Sequence, residues 1–241
     1  MFPIYTNNPL DFPTRFEGLE LAHDDPNNTV AIDWETYYDK EYSLTLMSSI
    51  NYCRDERFYP YLVAIEGTLD GEIISYCGRP EKFDWTPLLK RPDIRFLAHN
   101  ATFDEIVTWM YLTQNKIAPL EELVSTFNFM CTADMAAYLK YPRPLAGLSH
   151  VLKLPAPDKT IRDRMKGVDF TNDDELTDEV LDYALGDARN TFNAWTMLHE
   201  QWPDHERDFS VRNRRRCYRG IPVNLEETRA AYDAFNRVKH E

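Results

Sequence analysis

Three short segments of the chain carry acidic side chains at spacings that suit metal-dependent chemistry. In the first, Asp33 and Glu35 lie within the apolar, β-rich run 29–36, which we predict to be a central strand. Because alternate residues of a strand point to the same side, the two carboxylates project together. Ile32 and Trp34 face the opposite side and are predicted to pack in the core.

The other two segments are predicted to lie on helices. Asn100 follows the apolar run 94–98 and precedes a helical pattern, which is typical of an N-cap residue. Asp104 then falls in the first helical turn, where a carboxylate is tolerated. Tyr183 and Asp187 are four residues apart in a predicted long helix, so they lie on one helix face.

Four carboxylates brought together in this way would bind two divalent cations, which is how many nucleases cut a phosphodiester. Hard oxygen ligands suit Mg²⁺ or Mn²⁺. Each segment taken alone also has an ordinary explanation, namely a solvated strand, a helix cap, or a core tyrosine beside an exposed acid. Their joint occurrence in this order, each on the right kind of element, favours the metal site.

The three segments resemble the three exonuclease motifs of the DEDD 3′–5′ exonucleases. The resemblance implies an α/β, ribonuclease H-like fold, with a mixed β-sheet flanked by α-helices. It also implies that two divalent cations, Mg²⁺ or Mn²⁺, are held by four carboxylates: Asp33, Glu35, Asp104 and Asp187. One branch of the family has a His five residues before the last Asp, where this chain has Asp182. The other branch has a Tyr four residues before it, and Tyr183 is there.

The resemblance also implies roles for side chains around the carboxylates. Tyr183 would orient the attacking water, since a phenol with an ordinary pKa near 10 is a poor base at neutral pH. Thr36 would contact the terminal nucleotide, while Asn100 and Phe103 would shape a groove for a single strand. Phe103 has an equal alternative as a core residue. His99 could contact a phosphate, although a capping or packing role is favoured.

Family A proofreading domains place an apolar wedge shortly after the position of Thr36, and here the chain departs from that pattern. Tyr37 and Tyr38 follow instead and are the candidates for unstacking the terminal base. Farther on, the segment 219–227 resembles the stretch that follows the exonuclease domain in phage-type family A polymerases. A predicted helix then runs from Leu225 to Glu241, so the chain is expected to be a cut-out domain or one half of a split polymerase.

Periodicity supports the α/β prediction along the rest of the chain. Strands over 57–65 and 72–77 flank a turn at 68–71 and form a hairpin, and another strand covers 94–98. The polar stretch 155–174 is predicted to be a mobile loop near the substrate entrance. Helices are predicted over 103–114, 133–139, 145–152 and 177–202, the last with Thr177 as its cap. We expect an N-terminal extension over 1–28, an exonuclease domain over 29–202 and a helical tail over 203–241.

Composition narrows the class of protein. The 241 residues are 43% hydrophobic with a net charge of −13, which suits a folded domain and argues against a general nucleic-acid binder. Six arginines near the C-terminus predict a phosphate-binding patch, a domain interface or a solvated helix face: Arg207, Arg212, Arg214, Arg215, Arg216 and Arg219. No apolar run or leader pattern predicts a membrane partner. Four scattered cysteines indicate reduced thiols in a cytoplasm, and the resemblance indicates a phage or bacterial one.

Three functions therefore remain open from the sequence. The first is a DNA 3′–5′ exonuclease that acts on single-stranded or frayed 3′ ends, serves proofreading and has a polymerase domain or subunit as a further partner. The second is an RNase D-like RNA exonuclease with the same site, because the contact that reads a 2′-hydroxyl is not visible in sequence. The third is a non-catalytic module that docks nucleic acid or a polymerase. The presence of all four carboxylates argues against this third function.

Overall fold

The computed structural model describes residues 25–155, 159–172, 176–219 and 224–239. Within them, five strands form one mixed sheet in the order β3-β2-β1-β4-β5. Their bounds are β1 Thr29–Thr36, β2 Pro60–Leu69, β3 Glu72–Gly78, β4 Arg95–Ala98 and β5 Phe129–Cys131. β2 is antiparallel to both β1 and β3, whereas β1, β4 and β5 run parallel. The sheet is thus mixed, as the sequence predicted.

Local sequence explains the antiparallel half of the sheet. Asp70 and Gly71 connect β2 to β3 with φ values of 52° and 82°. Two consecutive positive φ values are the signature of a tight hairpin turn that Asp-Gly adopts readily. Gly67 allows β2 to approach β1 closely, since a Cβ there would lie 2.2 Å from the backbone oxygen of Thr29. The predicted hairpin is confirmed, with β2 beginning three residues later than expected.

Helices cover both faces of the sheet. Their bounds are α1 Ser49–Arg54, α2 Thr102–Gln114, α3 Leu120–Thr126, α4 Thr132–Tyr138, α5 Leu145–Leu152, α6 Lys159–Met165, α7 Asp178–Leu198, α8 Asp204–Arg219 and α9 Leu225–Lys239. On one face, Val30, Ile32 and Trp34 of β1 pack in a core with α2. On the other face, α7 packs against the sheet, with Ala184 and Ala188 fully buried. No described helix is long and apolar enough to cross a membrane.

The register of β1 prepares the functional site. β1 pairs with β2 along its whole length, but its pairing with β4 is confined to Thr29–Ala31. The second half of β1 therefore runs past the end of β4, and one edge of it is not paired with a strand. Asp33 and Glu35 lie in this half, on the sheet face opposite Ile32 and Trp34.

Several local predictions differ from the structure. The loop predicted over 155–174 is wrong for Lys159–Met165, which form α6. Ile161 and Met165 are buried against β2 and α7, and their i, i+4 spacing gives this charged segment one apolar face. Asn100 is not the N-cap of α2, because it adopts a left-handed φ of 69° and the helix starts after Ala101. Thr177 does cap α7 by position, but without a side-chain hydrogen bond.

Sequence analysis also missed three short elements and misjudged part of the arginine cluster. α1, α3 and β5 were not predicted; each has at most seven residues. Arg207, Arg214 and Arg215 are at most 5% exposed, so they form neither a phosphate patch nor a solvated face. Residues 220–223 of the segment 219–227, which resembles a polymerase link, lie outside the described residues. The division at residue 202 stays a prediction, although Val211 and Tyr218 of α8 pack into the two main cores.

A buried charge network attaches α8 to α2. Glu105 is fully buried and accepts hydrogen bonds from Arg214 Nε at 2.8 Å and from the Tyr218 hydroxyl at 2.9 Å. Arg215 lies 3.4 Å from the other carboxylate oxygen and also donates to Asn128. The two guanidinium groups hold the pKa of Glu105 below its ordinary value in spite of burial. This network fixes the start of α2, where Asp104 is the preceding residue.

We expect Glu105→Gln and Arg214→Met each to lower the free energy of unfolding by about 3–5 kcal/mol, the usual cost of breaking one side of a buried ion pair. Urea denaturation followed by tryptophan fluorescence measures this. Arg212→Gln is the matched control, because Arg212 pairs with Asp208 on the exposed side of the same helix. Its loss should cost less than about 1 kcal/mol. Equal costs for the buried and exposed pairs would contradict a stabilising role for the network.

Candidate active site

One cleft collects the side chains that the sequence marked. It has a volume of about 500 Å³ and lies where β1 runs beyond β4, between the start of α2 and the face of α7. All nine predicted site residues line it: Asp33, Glu35, Thr36, His99, Asn100, Phe103, Asp104, Tyr183 and Asp187. The structure thus brings together segments that are more than 150 residues apart in the chain. The roles assigned to these residues remain predictions.

The open edge of β1 positions Asp104. The backbone N–H of Trp34, which has no strand partner on that side, donates to Asp104 Oδ1 at 3.2 Å. The indole of Trp34 donates to Thr108 Oγ1 at 2.8 Å, and that hydroxyl donates to the backbone oxygen of Asp104 at 2.7 Å. Two hydrogen bonds therefore join Trp34 of β1 to α2, and the third, from Thr108 to Asp104, lies within α2. They hold Asp104 beside the two carboxylates of the strand.

The last carboxylate comes from α7. Tyr183 and Asp187 lie one turn apart on this helix, and both line the cleft. Ala184 and Ala188 let the helix approach the sheet closely enough to present both side chains to the cleft. Asp187 Oδ1 is buried and has no hydrogen-bond partner among the described residues. A buried oxygen of this kind is costly unless something binds it.

Burial raises the pKa values of all four acids, and repulsion from neighbouring carboxylates adds to the rise at Asp33, Glu35 and Asp104. Burial is the largest cause in each case. The pKa of Glu35 rises to about 8, that of Asp104 to about 7 and that of Asp187 to about 6. The pKa of Asp33 rises well above its ordinary value, with repulsion from Asp104 as the next cause. Acids with raised pKa values in a cleft are typical of functional sites.

The donor set suits a hard divalent cation. In the described part of the chain, however, no three side chains of His, Cys, Asp or Glu are arranged closely enough to hold one ion together. Four carboxylates supply only oxygen donors, which Mg²⁺ and Mn²⁺ prefer to nitrogen or sulfur. Negative charges in one buried cleft repel one another. In the absence of cations we therefore expect some of the four acids to be protonated near neutral pH. The orphaned oxygen of Asp187 gives an independent sign that the cleft accommodates a cation.

Thr36 and Phe103 belong both to the cleft and to an aromatic cluster behind it. The Thr36 hydroxyl is 2.7 Å from the Tyr52 hydroxyl, and the Phe103 ring meets the Tyr52 ring edge-on at 5.9 Å. Tyr52 stacks on Tyr42 at 4.2 Å. Phe103 is half-buried, so its core contact and its place in the cleft wall coexist. The cluster makes this wall rigid.

His99 and Asn100 also line the cleft. His99 Nδ1 is 3.0 Å from Thr132 Oγ1, and Nε2 is 2.8 Å from the backbone oxygen of Arg143. Burial lowers the pKa of His99 to about 4, so the ring is neutral near pH 7. Both ring nitrogens are used within the protein, which fits the packing role favoured by the sequence. Asn100 is at the turn from β4 into α2, where asparagine tolerates positive φ.

The two tyrosines predicted to unstack a base are both engaged by the protein. The Tyr37 hydroxyl donates to Asp39 at 2.8 Å, and the Tyr38 hydroxyl donates to the backbone oxygen of Arg162 at 2.7 Å. Tyr38 lines the cleft and Tyr37 does not. Leu44, which is 44% exposed, also lines the cleft and was missed. No local sequence signal marks Leu44, because it lies in an irregular segment between β1 and α1.

Two basic residues also line the cleft from the stretch that was predicted to be a mobile loop near the substrate entrance. Arg162 lies in α6, and Lys166 directly follows that helix. Arg162 lies near enough to Glu35 and Asp187 to oppose the rise of their pKa values. The signal for this helix was the buried pair Ile161 and Met165, which stands four residues apart among charged neighbours.

Comparison with known proteins supports the fold. No protein-family model matches the chain, and no curated protein sequence is significantly similar to it. RNase D from Escherichia coli, an exoribonuclease involved in structured RNA processing, superimposes with a TM-score of 0.53 at 18% identity over 81% of this chain. The catalytic core of RRP6 from Trypanosoma brucei gives 0.50 at 15% identity over 80% of this chain. NrnC from Brucella melitensis gives 0.49 at 18% identity over 80% of both chains.

The likenesses to RNase D and RRP6 show the fold of the chain. The match spans 46% of the RNase D chain and 46% of the RRP6 chain, which is less than half of each. The five-stranded mixed sheet with helices on both faces is the ribonuclease H-like fold of DEDD exonucleases. The fold class predicted from the sequence is confirmed.

The raised pKa values predict how stability depends on pH. In EDTA, we expect the free energy of unfolding to fall as pH rises from about 6.5 to 8.5. The folded protein keeps protons on Glu35 and Asp104, at about 8 and 7, that the unfolded chain has already lost near pH 4. The lowered pKa of His99 acts in the opposite direction, but only below about pH 6.5.

Urea denaturation at several pH values tests this expectation. Glu35→Gln should flatten the decline, because it removes the acid that titrates to about 8. Adding Mg²⁺ at pH 8.5 should restore stability to the wild type, since a cation binds the deprotonated carboxylates. A constant or rising stability between pH 6.5 and 8.5 in EDTA would show that the acids are not held protonated by the fold.

Proposed function

We propose that the protein is a metal-dependent 3′–5′ exonuclease that hydrolyses single-stranded or frayed nucleic-acid ends to nucleoside monophosphates. The observation that carries this proposal is the convergence of four carboxylates and Tyr183 in one cleft. The likeness in fold to RNase D supports it. Retention of all four acids, despite their raised pKa values, argues against a module that only docks nucleic acid.

Asp33, Glu35, Asp104 and Asp187 would hold two divalent cations, Mg²⁺ or Mn²⁺. When bound, such cations lower the pKa of water and stabilise the charge that develops on the phosphate and the leaving oxygen. Tyr183 acts through its hydroxyl. Burial, followed by the charge of Asp187, raises its pKa, so the phenol stays protonated and orients the water by hydrogen bonding. Thr36, Asn100 and Phe103 would contact the strand end, with His99 supporting that wall.

The choice between DNA and RNA has one observation on each side. The sequence that resembles a polymerase link favours DNA, proofreading and a polymerase domain or subunit as partner, and this argument rests on sequence alone. The overlay on RNase D, an exoribonuclease, favours RNA. We retain DNA as the first substrate and RNA as the second candidate, since the same carboxylates would serve either.

The decisive experiment follows the products from matched single-stranded DNA and RNA in Mg²⁺ and in EDTA. We expect mononucleotides released stepwise from the 3′ end, only with the metal. A DNA duplex with a mismatched 3′ end should be trimmed faster than a matched one, because a paired end must first be melted at a cost of a few kcal/mol. Cutting of closed circular single-stranded DNA, or shortening from the 5′ end, would refute the exonuclease proposal.

The same assay includes active-site variants. Asp33→Ala and Asp187→Ala should reduce turnover to less than a tenth of wild type while the fold is retained, because both acids face the cleft. Asp182→Ala is the matched control for α7, since Asp182 is exposed and does not line the cleft. It should keep wild-type turnover. Retention of more than a tenth of the turnover by either site variant would contradict the two-metal assignment.

Tyr183→Phe isolates the hydroxyl, because it keeps the ring that packs beside α6. If the hydroxyl orients the water, kcat should fall by about ten- to a thousandfold under conditions where chemistry limits the rate. Affinity for Mg²⁺, measured by calorimetry, should change little, because the phenol is not a ligand. An unchanged kcat would leave Tyr183 with a packing role only.

A further inference from the structure

α6 brings a cationic side chain to the acidic cleft and is firmly fixed there. The Tyr38 hydroxyl donates to the backbone oxygen of Arg162 at 2.7 Å, and the backbone N–H of Gly167 donates to the backbone oxygen of Tyr38 at 2.8 Å. Ile161 and Met165, on the packed face of the helix, are 6% and 2% exposed. Tyr38, which follows β1, is therefore hydrogen-bonded to the backbone at Arg162 and at Gly167, and these two bonds fix the position of α6.

Arg162 differs from its neighbour in how its charge is used. Arg164 points away from the cleft and pairs with Glu179 at 2.7 Å. Arg162 lines the cleft and, among the described residues, forms no ion pair with an acid. It remains accessible to solvent, so a ligand in the cleft can reach it. It also lies near enough to Asp33, Glu35 and Asp187 to oppose the rise in their pKa values.

The balance of charges in the cleft indicates what Arg162 would do during the reaction. Four ionised carboxylates carry four negative charges, which two divalent cations would offset. A phosphodiester then adds one negative charge, and a second develops on its oxygens as water attacks. Arg162 is the cationic side chain that acts on three of the four acids, so it is placed to offset that charge. A planar guanidinium can donate two parallel hydrogen bonds to phosphate oxygens.

We propose that Arg162 is a catalytic residue that binds the terminal phosphodiester through its non-bridging oxygens. This proposal rests on the exonuclease function proposed above. In the reaction, the oxygen of water forms a bond to phosphorus and the bond from phosphorus to the 3′ oxygen breaks. A proton from the attacking water is transferred to that 3′ oxygen, which becomes the new 3′ hydroxyl of the shortened strand. The released mononucleotide keeps the phosphate. Arg162 stays protonated and stabilises the charge on the phosphate oxygens.

The test is a double-mutant cycle that measures whether the Arg162 side chain and the terminal phosphate contribute to binding through each other. Binding of a fluorescent single-stranded oligonucleotide is measured by anisotropy in Ca²⁺ and in EDTA. One version has a natural 3′-terminal linkage, and the other has an uncharged methylphosphonate there. For the natural oligonucleotide, Arg162→Gln should raise the Kd about tenfold or more, within the range of a hydrogen bond to a charged group. For the methylphosphonate, wild type and variant should bind alike, because the contact is already lost.

Two further variants separate contact from structure. Arg164→Gln changes the same charge on the same helix and should leave the Kd within twofold of wild type. Arg162→Lys keeps the charge without the fork and should give an intermediate Kd. The salt dependence of log Kd should become shallower by about 0.7 for Arg162→Gln, as expected for one phosphate contact fewer on a single strand. Circular dichroism verifies that each variant is folded.

Turnover in Mg²⁺ completes the test. Loss of charge stabilisation at the phosphate should lower kcat about a hundredfold in Arg162→Gln, by analogy with the loss of one donor to a developing oxyanion. Equal losses from the methylphosphonate in wild type and Arg162→Gln would overturn the proposal, because the arginine would then contact another group. Should wild type hydrolyse neither DNA nor RNA ends, the exonuclease function fails, while the binding cycle still decides whether Arg162 contacts the terminal phosphate.

Discussion

The hydrogen bond from the backbone N–H of Trp34 to Asp104 is the contact on which the site depends. It exists because β1 runs beyond the end of β4, so that one N–H of a central strand lacks a strand partner. An unbonded buried N–H is costly, and Asp104 removes that cost while taking its place beside Asp33 and Glu35. The sheet register thus selects both the place of the cleft and the helix that supplies its third carboxylate. α7 then needs only small residues against the sheet to supply the fourth.

Two adjacent buried acids on α2, Asp104 and Glu105, differ in how far the protein compensates their charge. Glu105 is completely buried, yet two arginines and a tyrosine hold its pKa below the ordinary value. Asp104, one residue earlier, is 3% exposed, and its pKa rises to about 7. The same helix can therefore stabilise a buried carboxylate fully, and at Asp104 it does not. A fold that leaves four such groups under-compensated gives up stability there, which is expected where a bound cation completes the site.

Sequence reasoning succeeded where the information is local. The bounds of β1 and α5 agree with prediction, and alternation in a strand and the four-residue repeat of a helix were enough to orient Asp33, Glu35, Tyr183 and Asp187. It failed where the structure of a segment depends on a partner that is distant in the sequence. The basic run in α8 reads as a surface patch until Glu105, more than 100 residues away, is placed against it. α6 was read as a loop because its two apolar residues are outnumbered by charges, and only the surface formed by β2 and α7 gives them a place to pack.

The distribution of positive charge is compatible with the proposed action of a chain with a net charge of −13 on a polyanion. Three of the arginines of α8 that the sequence made conspicuous, Arg207, Arg214 and Arg215, are buried inside the protein. At the cleft, Arg162 of α6 and Lys166, which directly follows that helix, line the same cavity as the carboxylates. A strand would therefore be attracted at the cleft and repelled over most of the remaining surface, because screening limits each effect to about 10 Å. An enzyme of this kind would hold the last few nucleotides of an end and not a long tract. That distribution of charge, more than any single contact, would account for the proposed action at termini.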